Sequence, residues 1–137
     1  MEIPESARAV LESDALAHLV TINPDGSPQV SVVWVGLDGD EIVVGHVPNN
    51  RKVQNIRRDG RVALSIETDR QNEMGLTEYL VIKGTARITE GGAVALLREL
   101  AKTYQGPDAD FLPGEGLPGG YITHISVEKI SGVGPWA

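Results

Sequence analysis

The chain has 137 residues, 41% hydrophobic and 23% charged, with a net charge of −7 and a pI near 4.9. That length fits one domain with a respectable core. The acidic balance excludes a general nucleic-acid or membrane-surface binder, and the lack of cysteine excludes disulfides, thiolate nucleophiles and cysteine metal sites.

The N-terminus, M-E-I-P-E-S-A-R, is acidic and has no apolar targeting core, and no run approaches the length of a membrane span. The expected location is the cytoplasm, with no membrane partner. Pro4 to Ser13 is expected to form a short helix with Ala7, Val10 and Leu11 as its apolar stripe. Leu16 to Ile22 is a strand that ends in the turn Asn23-Pro24-Asp25-Gly26. Gln29 to Val35 is a second strand, rich in valine, and Leu37-Asp38-Gly39-Asp40 is a hairpin turn. Glu41 to Val47 is the third strand, broken by Pro48.

A short helix then starts near Asn49 or Asn50 and stops at Gly60, because asparagine caps helix starts and glycine follows helix ends. Val53 and Ile56 lie three apart on one face. At about 100° per residue, Arg51, Asn55 and Arg58 fall opposite, with Lys52 on the flank. Arg57 and Arg58 suit the last turn. Arg51 and Lys52 do not suit the first, where the helix dipole is positive. A cationic first turn makes sense when an anion completes it, since open N–H groups, dipole and side chains converge on a phosphate. In an acidic background, this cluster suits a small anionic ligand better than a polymer.

Arg61 to Glu67 is the fourth strand, Thr68 to Thr77 a polar loop, and Glu78 to Ile88 a long fifth strand with a bulge or bend at Gly84. Gly92 to Tyr104 has a helical stripe of Val94, Leu97, Ala101 and Tyr104, widened by Leu96 and Leu100. Gln105 to Gly120 is a Gly/Pro/acid loop, long for an idle connection and a candidate lid. Tyr121 to Lys129 is the sixth strand, with Thr123, Ile125 and Val127 sharing a face. Six hairpin-linked strands with short helices point to a mainly β fold, a small antiparallel barrel.

Other motifs weigh less. Gly114 to Gly119 matches G-x-G-x-x-G, but it follows a loop and precedes a strand, so the dinucleotide reading fails its context. His18, His46 and His124 lie on separate strands without ligand spacing, so no metal site is expected. No serine has a nucleophile-elbow context. Trp34 is expected in the core. Trp136, after Gly134-Pro135, needs a surface to bury against, such as a subunit interface or a ligand.

The segments S-P-Q-V-S-V-V-W-V (27–35), E-I-V-V-G-H-V (41–47), N-R-K-V-Q-N-I-R-R-D-G-R-V (50–62) and Y-L-V-I-K-G-T-A-R-I (79–88) carry a family resemblance. The chain resembles the flavin/deazaflavin oxidoreductase split-barrel superfamily, relatives of pyridoxamine 5′-phosphate oxidase, and within it the coenzyme F420-dependent branch. The family form has Asp-Pro after the double arginine; Asp59-Gly60 here is a change at a helix end. The resemblance implies a six-stranded FMN-binding-type split barrel and a homodimer with two cofactor sites in its interface. The cofactor phosphate would lie at the start of the Asn50 helix, held by Lys52 and by Asn50 or Arg51, with Asn55 nearby. The ring would lie over the strands Gln29 to Val33 and Gly45 to Val47, with Gln29, Val30, Ser31, Gly45, His46 and Val47 as candidate contacts. The partner would close the site through Tyr79 and Trp136.

The implied activity is hydride transfer from reduced F420 to a small conjugated or quinone-like substrate. Arg51, Arg57, Arg58 and Arg61 would meet the anionic tail of F420. His46, Tyr79 or water would supply the proton, and no catalytic residue is assigned. An FMN-dependent oxidase or flavin reductase is the alternative cofactor reading, and a non-catalytic cofactor carrier the third. No second arginine-rich phosphate site is visible, which argues against pyridoxamine phosphate as substrate.

Overall fold

The computed structural model describes residues 1–137. Helix α1 (Glu5–Leu11) precedes β1 (Ala17–Ile22), β2 (Pro28–Val33), β3 (Gly36–Asp38) and β4 (Glu41–His46). Helix α2 (Arg51–Arg58), β5 (Arg61–Gln71), β6 (Thr77–Glu90), α3 (Ala93–Tyr104) and β7 (Tyr121–Val133) follow. All pairings are antiparallel, in the order β2-β1-β5-β6-β7-β4-β3. The fold is mainly β with short helices, as the resemblance implied.

Chain connectivity forces this sheet to curl. Its two edge strands, β2 and β3, are consecutive in sequence and separated only by Trp34 and Val35. The three steps from Val33 to Gly36 span at most about 11 Å. Seven flat strands would hold their edges roughly 29 Å apart. The sheet therefore rolls into a barrel whose edges approach without pairing, which is the split.

The interior follows from strand alternation. Leu19, Leu64, Ile66, Leu80, Ile82 and Ile125 point inward and are essentially inaccessible. Ala7, Val10 and Leu11 of α1 join the same core. Strand β4 breaks the alternation with Ile42, Val43 and Val44 all buried, because α3 covers its outer face. Glycines allow that close approach: a Cβ on Gly36 would lie 2.9 Å from Leu100 Cδ2, and one on Gly45 would lie 2.9 Å from Leu97 Cγ.

Several expectations need correction. There are seven strands, since β2 stops at Val33 and the chain re-enters the sheet as β3 in the segment expected to be a turn. Strand β5 runs on to Gln71 through the start of the expected polar loop, because β6 is long enough to pair with it. Strand β7 likewise extends to Val133 along β6. Trp136 does not wait for another surface. It is buried in the chain's own core, and its Nε1 donates to the Tyr79 carbonyl at 3.2 Å.

The register of β6 on β7 shifts between Lys83 and Gly84, at the expected irregularity. A Cβ on Gly84 would run into the Ser126 carbonyl oxygen, part of the opposing backbone. Gly84→Ala is expected to cost about 1–3 kcal/mol by overpacking. Urea unfolding would show this as a lower midpoint with an unchanged slope, and an unchanged midpoint would refute it.

Candidate functional site

Helix α2 begins as the sequence implies. The Asn50 side chain accepts from the Val53 N–H at 3.1 Å, and the Gln54 N–H bonds the Asn50 carbonyl at 3.1 Å. The N–H groups of Arg51 and Lys52, ahead of the first intrahelical bond, are the open donors of the helix start.

The inward face of α2 is wider than its two apolar residues suggested. Asn55 was expected opposite Val53 and Ile56, but it is fully buried with them. At about 100° per residue, Asn55, Lys52, Ile56 and Val53 fill one continuous arc of roughly 160°. Asn55 is buried because β1 and the turn that follows it offer it partners. Its Nδ2 donates to Thr21 Oγ1 at 3.0 Å and to Asn23 Oδ1 at 3.1 Å. Thr21 donates in turn to Gln29 Oε1 at 2.9 Å. Arg58 donates to the Asn55 Oδ1 at 3.2 Å and also to the Ile22 carbonyl. These bonds satisfy Asn55 internally, so its amide ties α2 to the barrel.

Lys52 lies in the middle of the same arc and is different. It is half-buried, burial lowers its pKa, and it has neither a hydrogen bond nor a carboxylate partner. A cation in that position is electrostatically incomplete. The other basic residues are largely engaged. Arg57 pairs with Glu90 at 3.1 Å and lies over the Tyr121 ring, and Arg61 pairs with Asp59 at 2.7 Å. Of the four arginines expected to meet an anionic tail, only Arg51 is free.

Asn50 and Lys52 stand on the wall of a pocket of about 420 Å³. Strand β4 and its exit supply Gly45, His46, Val47 and Pro48, and β2 and the step after it supply Val32, Val33 and Trp34. Leu97 of α3 and Phe111 and Leu112 of the long loop complete the far side, and no carboxylate lines it. Trp34 is not core. It is half-buried, stacks on Tyr104 with ring centroids 5.4 Å apart and meets Phe111 at 4.9 Å. Phe111 and Leu112 carry no periodic signal. Only the presence of the chain's one phenylalanine in a Gly/Pro/acid loop marked that segment.

His46 points into the barrel, 3% exposed, with its Nε2 2.8 Å from Thr123 Oγ1. Burial, followed by the charge of Lys52, lowers its pKa to about 4. The ring is therefore neutral at physiological pH.

A family model described as Pyridoxamine 5′-phosphate oxidase matches residues 3–133. The chain belongs to this family. Among solved structures, an F420 reductase is 26% identical with a TM-score of 0.72, over 94% of this chain and 98% of its own. A pyridoxamine 5′-phosphate oxidase-like protein from Listeria innocua is 21% identical with a TM-score of 0.72, over 94% and 96%. A conserved hypothetical protein from Mycobacterium tuberculosis is 22% identical with a TM-score of 0.72, over 95% and 84%. The last two likenesses show the fold alone. The family lies within the flavin/deazaflavin oxidoreductase split-barrel superfamily, whose chemistry includes hydride transfer.

For this member of the family, the structure brings together Gly45, His46, Val47, Asn50 and Lys52 with Val32 and Val33 from the end of the expected ring-side strand, and Trp34 joins them. Arg51 is exposed beside them at the helix start. Gln29 is bonded to Thr21, and Val30 points outward, 59% exposed. Ser31 Oγ is buried without a hydrogen-bond partner. Tyr79 sits on β6, beside Glu67 of β5 and Val133 of β7, and does not line the pocket of its own chain.

The depressed pKa of His46 has a consequence for stability. Between its ordinary value of 6.5 and the folded value of about 4, the unfolded chain binds the proton more readily. Stability from this group is therefore intact above pH 6.5 and is lost as pH falls toward 4, by about 3 kcal/mol in all. The thermal midpoint is expected to drop between pH 7 and pH 4.5, and His46→Gln should flatten that slope. An equal slope in both proteins would count against it.

Proposed function

We propose that this chain is an F420-dependent oxidoreductase that passes a hydride from the reduced deazaflavin to a small conjugated or quinone-like substrate. The observation that carries the proposal is Lys52: half-buried, unpaired, and beside the open N–H groups of α2 at the wall of an apolar pocket. A phosphate would supply the missing counter-charge. The 26% identity to an F420 reductase over nearly the full length of both chains favours the deazaflavin over FMN.

Lys52, Asn50 and the N–H groups of Arg51 and Lys52 would hold the phosphate, and Arg51 is the cation left free for an anionic tail. The backbone of Gly45 to Val47 offers polar groups to a ring edge. Bound there, reduced F420 supplies a hydride and moves two electrons at a time. The aromatic and aliphatic far wall excludes water and holds the acceptor close. His46 serves as a neutral wall, since its proton affinity is too low for an imidazolium near pH 7. The proton that follows the hydride comes from water or from Tyr79 of a second copy.

In this reading the chain is one split-barrel domain that works as a homodimer in the cytoplasm. Val30 and Val32 on the edge strand and Leu16 beside them are at least half exposed, and Tyr79 is 40% exposed on the same sheet. Such apolar exposure fits burial against a second copy.

Titration of the purified protein with F420 and with FMN, followed by fluorescence, tests the proposal. F420 is expected to bind more tightly, and Lys52→Met to weaken it about 10- to 100-fold, as for a charged hydrogen bond. The same variant without cofactor should unfold at an equal or higher temperature, because it removes a half-buried unpaired charge. Tighter FMN binding would replace this reading with the FMN-dependent one. Binding of neither, or equal binding by Lys52→Met, would overturn the phosphate site.

A further inference from the structure

The loop from Gly106 to Gly119 has little holding it. Its only hydrogen bonds to the rest of the chain, before the Gly119 carbonyl meets the Ala93 N–H, come from one side chain. Arg98, on α3, donates from Nε and from a terminal nitrogen to the Leu112 carbonyl at 3.2 and 2.6 Å, and to the Gly114 carbonyl at 2.8 Å. It pairs with no carboxylate. Leu112 sits at φ 50°, a left-handed conformation that leucine adopts only where its surroundings impose it. That position turns Leu112 and the preceding Phe111 onto the pocket, where Phe111 meets Trp34 at 4.9 Å.

Trp34 is fixed from the other side. Tyr104 stacks on it with ring planes 9° apart, and the Tyr104 hydroxyl is anchored by the Val35 N–H at 3.0 Å. One wall of the slot is therefore rigid barrel and helix. The other wall, Phe111 and Leu112, has Arg98 as its only hydrogen-bonded anchor.

We propose that Arg98 is a positioning residue for the pocket: its grip on the Leu112 and Gly114 carbonyls sets Phe111 against Trp34 and so fixes the width of the substrate-side slot. The guanidinium suits this role because it spans two carbonyls in a planar fork, whereas an ammonium reaches them as a point charge. Release of the two carbonyls frees Leu112 to return to ordinary backbone geometry and carries Phe111 away from Trp34. The phosphate-side residues Asn50 and Lys52 belong to the start of α2 and make no hydrogen bond to the loop, so phosphate binding and slot width are separable by experiment. The inference leans on the cofactor reading only where substrate is concerned; the placement of Phe111 by Arg98 stands without it.

Hydrogen exchange and tryptophan fluorescence of the full chain test the placement, with wild type, Arg98→Ala, Arg98→Lys and Phe111→Ala compared. In Arg98→Ala, amide exchange across 107–118 is expected to rise about tenfold or more, with the strands unchanged. Trp34 emission should shift toward that of Phe111→Ala, and Arg98→Lys should restore part of both signals. F420 affinity should stay within about threefold in Arg98→Ala and Arg98→Lys, since Arg98 does not line the pocket that holds Asn50 and Lys52. With reduced F420 and menadione as a probe acceptor, Arg98→Ala should raise KM more than it lowers kcat.

Unchanged exchange and emission in Arg98→Ala would overturn the positioning role. Loss of F420 affinity equal to that of Lys52→Met would also overturn it, by showing that the loop serves the cofactor. Failure of wild type to bind any cofactor would sink the cofactor reading alone, and Arg98 would then be judged on exchange and emission. Should Arg98→Ala fail to fold, Phe111→Ala decides: an unaltered Trp34 emission there refutes the contact.

Discussion

The two-residue step of Trp34 and Val35 between the edge strands constrains most of what the molecule does. Edges of a seven-stranded sheet can be that close in sequence only if the sheet rolls up. Rolling then creates an interior for the inward residues and a seam where the edges fail to pair. The Tyr104 hydroxyl bonds the Val35 backbone at this seam and stacks its ring on Trp34. The step that closes the barrel therefore also supplies the rigid wall of the pocket.

Polar groups around α2 divide sharply. Asn55, Arg58, Thr21 and Gln29 satisfy one another and the end of β1, so they serve the fold. Lys52, on the same buried arc, is left without a partner. Half-burying an unpaired cation is unfavourable. A site that supplies donors and a positive charge but no carboxylate suits the anion proposed for it. The neutral His46 beside it is consistent with that field, since a second positive charge there would be repelled and desolvated.

Much of this was legible in the linear chain. Helix caps, alternation and turn residues placed the helices and most strands, because those signals act between near neighbours. The misplacements share a cause. Strand β3, the extension of β5 and the end of β7 exist because a distant strand offers a pairing edge, and no local propensity reports that edge. Burial of Asn55 has the same origin: an amide on a wheel looks like a surface residue until Thr21 and Asn23, more than thirty positions away, accept from it. Trp136 showed the reverse error, since an aromatic near the end of the chain found its cover on β6 of the same chain.

The sequence by itself determined the mainly β architecture, the helix with a cationic start after β4, and the family, since these rest on periodicity, capping chemistry and a contiguous motif. Only the tertiary structure decided which of the cations is half-buried and unpaired, that Trp34 faces a pocket, and that Arg98 bonds the loop carrying Phe111. Those facts depend on which surfaces the rolled sheet brings together across tens of residues. Charge is encoded in a residue's type, whereas its desolvation and its partners are set by the fold.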